Sequence, residues 1–406
     1  MLTTPIFVEK INTDRGTLEN LQGFRPILRF NPLSVCLNKH QIEIRVSRLI
    51  SKVLIVFKQV NLDLLTISSK VMEFTYFIGT DVSKNELDFA VMHGKTLLFH
   101  KKIANTEQAI NLFIKELIKL PAFNLASAVF CMEHTGIYNN HLLVCLHKKK
   151  ANIWLESAIQ IKRSSGNIRG KNDKVDAIRI ADYAYTKRDK VRLWAPKREV
   201  IQQLASLAAT RGRLIEAKKI LKTPLQEQDS FSTKKVVKQS AAVCSHTLKA
   251  IDADLEKAEK AIDELIAKDP ELKRLFNLVT SVSGIGKITA TQILITTNEF
   301  KSIRNPKQYA CYAGVAPFVE ESGIFKGKGR VSHMANKKVK TLLHMSAIVA
   351  IQYNQDLKCY YYRKVNEQKK NKMSVINAVR NKLILRIFAC VNQNSPYQNN
   401  YHKLLA

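Results

Sequence analysis

The chain has 406 residues and seven cysteines: Cys36, Cys131, Cys145, Cys244, Cys311, Cys359 and Cys390. No two of them form a CxxC pair, which argues against a zinc ribbon or a disulfide framework and fits a reducing compartment. Long apolar runs are missing too. A membrane span needs roughly 20 apolar residues, and the nearest approach, Val53-Leu54-Ile55-Val56-Phe57, is bracketed by Lys52 and Lys58. The N-terminus lacks the basic-then-apolar order of a signal peptide. A soluble, cytoplasmic protein with no membrane partner is expected. Acids are the scarcest class relative to their counterparts: 34 Asp plus Glu stand against 65 Lys plus Arg, a formal net charge of +31. Such an excess favours a polyanionic partner, because each cation placed on a phosphate releases a condensed counterion.

What remains is the composition of a folded protein, 46% apolar and 24% charged, with room for two or three domains. Residues 1–71 show no clear period or motif. The core is expected to begin near Met72, with 1–71 as an appended or mis-assigned start. From 74 to about 194 strand and helix patterns alternate: strands over 74–80, 87–92, 97–103, 128–132 and 153–155, helices over 107–119 and 138–150. Three strands joined by short turns, then helix–strand–helix–strand, predict a mixed sheet with helices packed on it. That order suits an RNase H-like fold better than a doubly wound parallel sheet. A domain over 72–195 is expected.

Beyond Pro196 the strand signal stops. Long helices are predicted over 201–226 and 246–268. In the second, Leu248, Ile251, Leu255, Ala258, Ile262 and Leu265 recur at alternating steps of three and four, a coiled-coil seam or one side of an antiparallel hairpin. This 196–271 region is read as a spacer or oligomerisation element. A mostly helical domain over 272–406 opens with a helix, then Val282-Ser283-Gly284-Ile285-Gly286-Lys287, then a helix over 288–295. A P-loop is excluded, because its first glycine would fall on Ser281. A helix–hairpin–helix fits, with Gly284 and Gly286 letting backbone N–H groups reach a phosphate and Lys287 beside them. A tight helix–helix turn without a ligand would look the same.

Four acids stand out. Asp81 follows the first strand-like run, in Gly79-Thr80-Asp81-Val82-Ser83-Lys84. Glu133 ends the fourth strand, in Glu133-His134-Thr135-Gly136. Asp173 and Asp176 lie three apart at a helix start, in Asn172-Asp173-Lys174-Val175-Asp176-Ala177, and so share a face. Taken singly, Asp81 could be a turn residue and the helix acids could answer the macrodipole. Brought together, four carboxylates repel unless divalent cations sit among them, and an all-oxygen site suits Mg²⁺ or Mn²⁺. Two such ions clamp the entering and leaving oxygens of a phosphodiester.

In combination these three motifs resemble the DEDD-type insertion-sequence transposases of the IS110 family, and the likeness runs from about Phe74 into the C-terminal region. The resemblance implies an RNase H-like (RuvC-like) catalytic domain with Asp81, Glu133, Asp173 and Asp176 as Mg²⁺ ligands. It also implies a C-terminal transposase domain with the helix–hairpin–helix and the Ala313-Gly314-Val315-Ala316-Pro317 segment. A serine nucleophile is implied as well, aligned with Ser322 in Glu321-Ser322-Gly323, with Ser332 as the alternative; a turn serine is the plain reading of either. The family further implies donor and target double-stranded DNA, a structured guide RNA pairing with both, and a dimer or tetramer.

Lys162, Arg163, Arg169, Lys171 and Lys174 crowd the acids, and Lys326, Lys328, Arg330, Lys337, Lys338 and Lys340 surround the serines. These are candidate backbone contacts. Tyr360, Tyr361 and Tyr362 beside Arg363 and Lys364 suit base stacking. A DNA recombinase is the expected function. Its rivals are a metal-dependent Holliday-junction resolvase that uses the carboxylates alone, and a nucleic-acid-binding protein with a decayed site.

Overall fold

The computed structural model describes residues 73–164, 172–319, 321–323, 325–327 and 329–398. The proposed extension over 1–71, and Arg169, Lys171 and Lys328, lie outside them. The chain divides into two compact units between Leu193 and Trp194.

The first unit is a five-stranded mixed sheet. Its strands are β1 (Tyr76–Val82), β2 (Glu86–His93), β3 (Thr96–Ala104), β4 (Ala128–Glu133) and β5 (Asn152–Glu156), in the order β3-β2-β1-β4-β5. β1 pairs antiparallel with β2 and β2 with β3, whereas β4 and β5 run parallel to β1. Short turns make the meander. The parallel strands need crossovers, supplied by α1 (Glu107–Ile118) and α2 (Asn140–Lys148). All five strands occur where the alternation predicts them, most one or two residues longer. β1 runs on through Val82, so Asp81 is a strand residue and not a turn residue. The five-stranded mixed sheet with helices on it is consistent with an RNase H-like (RuvC-like) domain.

Helices cover both faces of this sheet, and its central strands are buried almost throughout. On one side Phe89 meets Phe113 of α1, ring centroids 4.2 Å apart. On the other, Phe77, Ala90, Met92, Val129, Cys131 and Trp154 pack on Ala177, Ile180, Ala181 and Ala184. Those four come from a helix over Asp173–Thr186, called α4 because a short α3 (Ala158–Ser164) precedes it. The contact is close because β1 has glycine at its centre. A Cβ on Gly79 would stand 2.2 Å from both the Ala177 carbonyl oxygen and the Ala181 nitrogen.

The second unit is mostly helical. α5 (Glu199–Phe231) and α6 (Lys234–Lys268) form an antiparallel hairpin. The seam on α6 is half-buried at Leu248, Ile251 and Leu255 and buried at Ala258 and Ile262, as an intramolecular hairpin requires. Its foot runs into a core shared with α7 (Pro270–Thr280), α8 (Lys287–Thr297), α9 (Pro306–Tyr312), α10 (Lys337–Tyr353) and a last helix. Between α9 and α10 lie two short pairs, β6 (Pro317–Phe318) with β9 (Arg330–Val331), and β7 (Glu321–Ser322) with β8 (Phe325–Lys326). α11 (Gln355–Tyr362) and α12 (Lys372–Gln393) complete the unit.

Candidate active site

Strand register gathers acids at one end of the sheet. Asp81 on β1 stands directly opposite Asp88 on β2. Because Thr80 pairs with Met132, Glu133 lies alongside Asp81 one step further on. Glu133 pairs in turn with Glu156 on β5. Side chains alternate along a strand, so all four acids share the face of Phe77, Cys131 and Trp154, the face that α4 covers. A row of carboxylates therefore crosses four strands.

α4 contributes two more. Asn172 caps it, its side-chain oxygen accepting from the Lys174 N–H at 3.0 Å, as Asn does at helix starts. Asp173 and Asp176 then occupy the first turn. With Ala177 and Ala181 seated over Gly79, that turn lies beside the strand ends. The electrostatics agree. Burial, then the charges of Asp173 and Asp176, and more weakly that of Asp88, raise the Asp81 carboxyl above its ordinary range, against the pull of the Val82 backbone N–H.

Asp176, Asp88 and Glu156 have partners. Arg179 Nη1 donates to Asp176 at 2.7 Å. Asp88, 4% exposed, pairs with His100 Nε2 at 2.8 Å, and the Lys102 ammonium stands 3.9 Å from its second oxygen. Glu156 accepts from the Ser157 N–H at 2.7 Å and from the Tyr183 hydroxyl at 3.3 Å. Burial and the Glu156 charge push that phenol up to about 12. The turn after Glu133 is fixed by buried Asn139, which donates to the Glu133 carbonyl at 2.9 Å and accepts from the Thr135 N–H at 2.7 Å. Among the described residues, no three His, Cys, Asp or Glu side chains stand close enough together to hold a metal as placed. The donor set is all oxygen and suits a hard divalent cation, but Asp176 would have to leave Arg179 and its neighbours draw in.

Asp88 and Glu156 escaped the sequence reading. Each carried a signal: Asp88 interrupts the apolar run from Leu87 to Met92, and Glu156 ends a short strand just as Glu133 does.

Both serines belong to the second unit. Ser322 is exposed on β7, where Gly323, at φ +56°, turns the chain back into β8. The β6–β9 pair forms the base of this hairpin. Ser332 is half-buried, its hydroxyl accepting from the Met334 N–H at 3.1 Å, the local bond of a serine turn. Between α7 and α8, Gly284 has φ +89° and its Cα faces α10; a Cβ there would lie 2.5 Å from the Ser346 carbonyl oxygen. Close packing therefore requires glycine at position 284. Gly286 opens α8 with nothing near its missing Cβ, and Lys287 pairs with Asp263 of α6 at 2.8 Å. Lys174 and Arg330 are exposed. Tyr360 is partly buried against the core with the Lys382 ammonium 4.6 Å from its ring centre, so that face is already occupied.

A family of transposases of the DEDD IS110 type matches residues 78–228, which include all six acids. A second, described as the transposase IS116/IS110/IS902 family, matches residues 276–362, which include both serines. The chain belongs to the IS110 family of transposases. It is 26% identical over 332 residues to the pilin gene-inverting protein of Moraxella lacunata, covering 80% of this chain and 99% of that protein. It is 24% identical over 153 residues to an uncharacterized 43.6 kDa protein of insertion element IS110 in Streptomyces coelicolor, covering 38% of this chain and 36% of that one. As an IS110-family transposase it is a recombinase whose substrate is DNA. No helix among its described residues is long and apolar enough to cross a membrane.

Proposed function

We propose that this transposase cuts and rejoins DNA strands with Ser322 as nucleophile, and with Asp81, Glu133, Asp173 and Asp176 holding Mg²⁺ or Mn²⁺. The observation that carries the metal half is the Asp81 carboxyl, raised by burial and by carboxylates from β2 and α4. Repulsion of that kind is relieved by a cation, and an unliganded cluster is costly. Bound there, divalent cations would neutralise the entering and leaving oxygens of a phosphodiester in line.

The protein's own part is as follows. The Ser322 Oγ bonds to phosphorus as the bond from phosphorus to one sugar oxygen breaks. The serine proton passes to solvent, and the departing sugar oxygen takes up a proton. The energy of the broken link is kept in the serine phosphodiester, so a second strand's hydroxyl can displace the serine and reseal DNA without a nucleotide cofactor. Exposure of Ser322 at a hairpin tip suits access to a strand. The net charge of +31 supports a protein that handles much phosphate at once. A structured guide RNA pairing with donor and target would let base pairing carry sequence choice while the protein grips backbones. A dimer or tetramer would present two strands together.

The deciding experiment incubates labelled element-end DNA with wild type, Ser322→Ala and Asp81→Asn, then looks for a protein–DNA adduct on denaturing gels. Wild type should form it and both variants should not. Cleavage retained by Ser322→Ala but lost in Asp81→Asn would sink the serine and leave a carboxylate-only resolvase. Indifference to both changes would leave a nucleic-acid binder. Purification with and without RNase tests the guide: recombination that survives complete removal of RNA rejects it.

A further inference from the structure

Arg380 on α12 is 6% exposed and has no carboxylate partner among the described residues. Its Nη2 donates to His344 Nδ1 on α10, and its Nη1 reaches Asn377 at a long 3.4 Å. Its Nε is buried, and no described residue receives its hydrogen. His344 cannot neutralise it: burial and the Arg380 charge both hold that imidazole below its ordinary range, and so in the uncharged form that accepts through Nδ1. A buried guanidinium with an unused donor is costly, and an anion is one partner that would complete it.

Arg380 lines a cavity of about 930 Å³. Lys307 of α9 and Lys340 of α10 line it as well, with Ser374, Asn377 and Asn381 as neutral polar groups and, among the described residues, no aspartate or glutamate. Three cations with no acid mark an anion site. The volume admits a nucleotide unit and not merely an ion. One wall is built from Pro317 and Val331, the paired residues of β6 and β9, so the cavity lies at the base of the hairpin that carries Ser322.

We propose that this cavity binds one phosphodiester of the DNA strand on which Ser322 acts, with Arg380 at its floor and Lys340 and Lys307 at its mouth. The guanidinium is the better group for the floor, because its planar fork matches phosphate oxygens and it stays charged when buried. The choice of DNA rests on the serine reading above, but the site itself makes no demand on catalysis.

Binding therefore tests it apart from strand transfer. The full chain is titrated with a fluorescent 12-nucleotide DNA by anisotropy across a series of NaCl concentrations, for wild type, Arg380→Gln, Arg380→Lys and Lys307→Ala/Lys340→Ala. Arg380→Gln and the double lysine variant should each weaken binding about ten-fold and flatten the salt slope by roughly one to two ions. Arg380→Lys should recover part of the loss. Inorganic phosphate at millimolar concentration should compete with DNA in wild type but not in Arg380→Gln. Should Arg380→Gln melt early, the surface lysine variant carries the test. Unchanged affinity and slope in a folded lysine variant would overturn the site, leaving Arg380 as a tie between α10 and α12. Phosphate binding without any loss of DNA affinity, or a loss confined to an RNA 12-mer, would overturn the DNA assignment. Failure of the Ser322→Ala adduct test would leave these binding results standing.

Discussion

Asp81 and Asp88 face one another across the antiparallel β1–β2 pair, with both side chains on the side of the sheet that α4 covers. Directly opposed residues have Cβ atoms about 5 Å apart, and like charges so placed destabilise a sheet. The two acids are nonetheless treated differently. His100 and Lys102 compensate Asp88, whereas Asp81 is raised by burial and by the charges of Asp173, Asp176 and Asp88. A strand position that costs stability in the resting protein is what a site awaiting a cation looks like.

The first prediction follows from that cost. A carboxyl whose folded pKa lies above its ordinary 3.8 stabilises the fold at low pH. That contribution fades as pH rises through the raised value, so at pH 7 the ionised Asp81 is a net burden. Asp81→Asn should raise the melting temperature at pH 7 while abolishing strand cleavage. The gain should be on the order of 2 °C after allowance for solvent screening, and should vanish near pH 4. Scanning calorimetry at both pH values checks it; a fall in melting temperature at pH 7 rules the repulsion out.

Arg179 competes for Asp176 in the metal-free protein through the 2.7 Å bond to Nη1. Partly buried surface pairs of this kind are worth up to about 1 kcal/mol, which limits the competition to about five-fold. Arg179→Gln should therefore tighten Mn²⁺ binding by roughly two- to five-fold in isothermal titration. Weaker binding would make Arg179 an orienting partner of the acid instead.

The depth to which this site could be read in the sequence tracks the range of the interactions. Asp81, Glu133 and the Asp173–Asp176 pair sit at element ends, which alternation and the Asn172 cap mark locally. Asp88 and Glu156 were missed because their membership depends on register between strands, and only pairing across the sheet lines them up with Asp81 and Glu133. Gly284 has a second role for a related reason. A glycine before a helix fits both a phosphate loop and a close helix contact, and the neighbour that makes the contact, Ser346, is 62 residues away (346 − 284 = 62). At Tyr360 the sequence-adjacent Lys364 ammonium does lie 5.9 Å from the ring centre, while the closer cation, Lys382, comes from another helix.

Gly79 allows a sharper test of how the sheet and α4 share the site. A methyl group on Gly79 cannot fit 2.2 Å from the Ala177 carbonyl, and the atoms it meets are helix backbone, which cannot swing aside. Gly79→Ala should cost about 3 kcal/mol, the upper range for overpacking, and shift Asp173 and Asp176 away from Asp81. Urea denaturation measures the first effect. Loss of Mn²⁺ binding in the protein still folded at low temperature measures the second. A variant of normal stability would mean that α4 can slide, and that the acids are held together by something other than this contact.

The second unit should be acid-sensitive at one identifiable point. Arg198, just before α5, donates to Asp269, the cap of α7, at 2.9 and 3.0 Å, and to the wholly buried carboxylate of Glu299. Arg198 holds Asp269 below the ordinary carboxylate range. Burial alone would raise Glu299, yet Arg198 and Lys301 together bring it below its ordinary value. Depressed carboxyls contribute stability above their unfolded pKa values, ordinarily 3.8 and 4.5, and lose it as pH falls through the lower folded values. Arg198→Ala leaves a buried carboxylate with Lys301 alone, and should cost about 3 kcal/mol at pH 7. The deficit relative to wild type should shrink as pH drops below about 4, where the wild-type pairs are themselves being protonated. Chemical denaturation of both proteins at pH 7 and about pH 3 gives the comparison, and a deficit of equal size at the two pH values would show that Arg198 acts through packing of its alkyl chain and not through its charge.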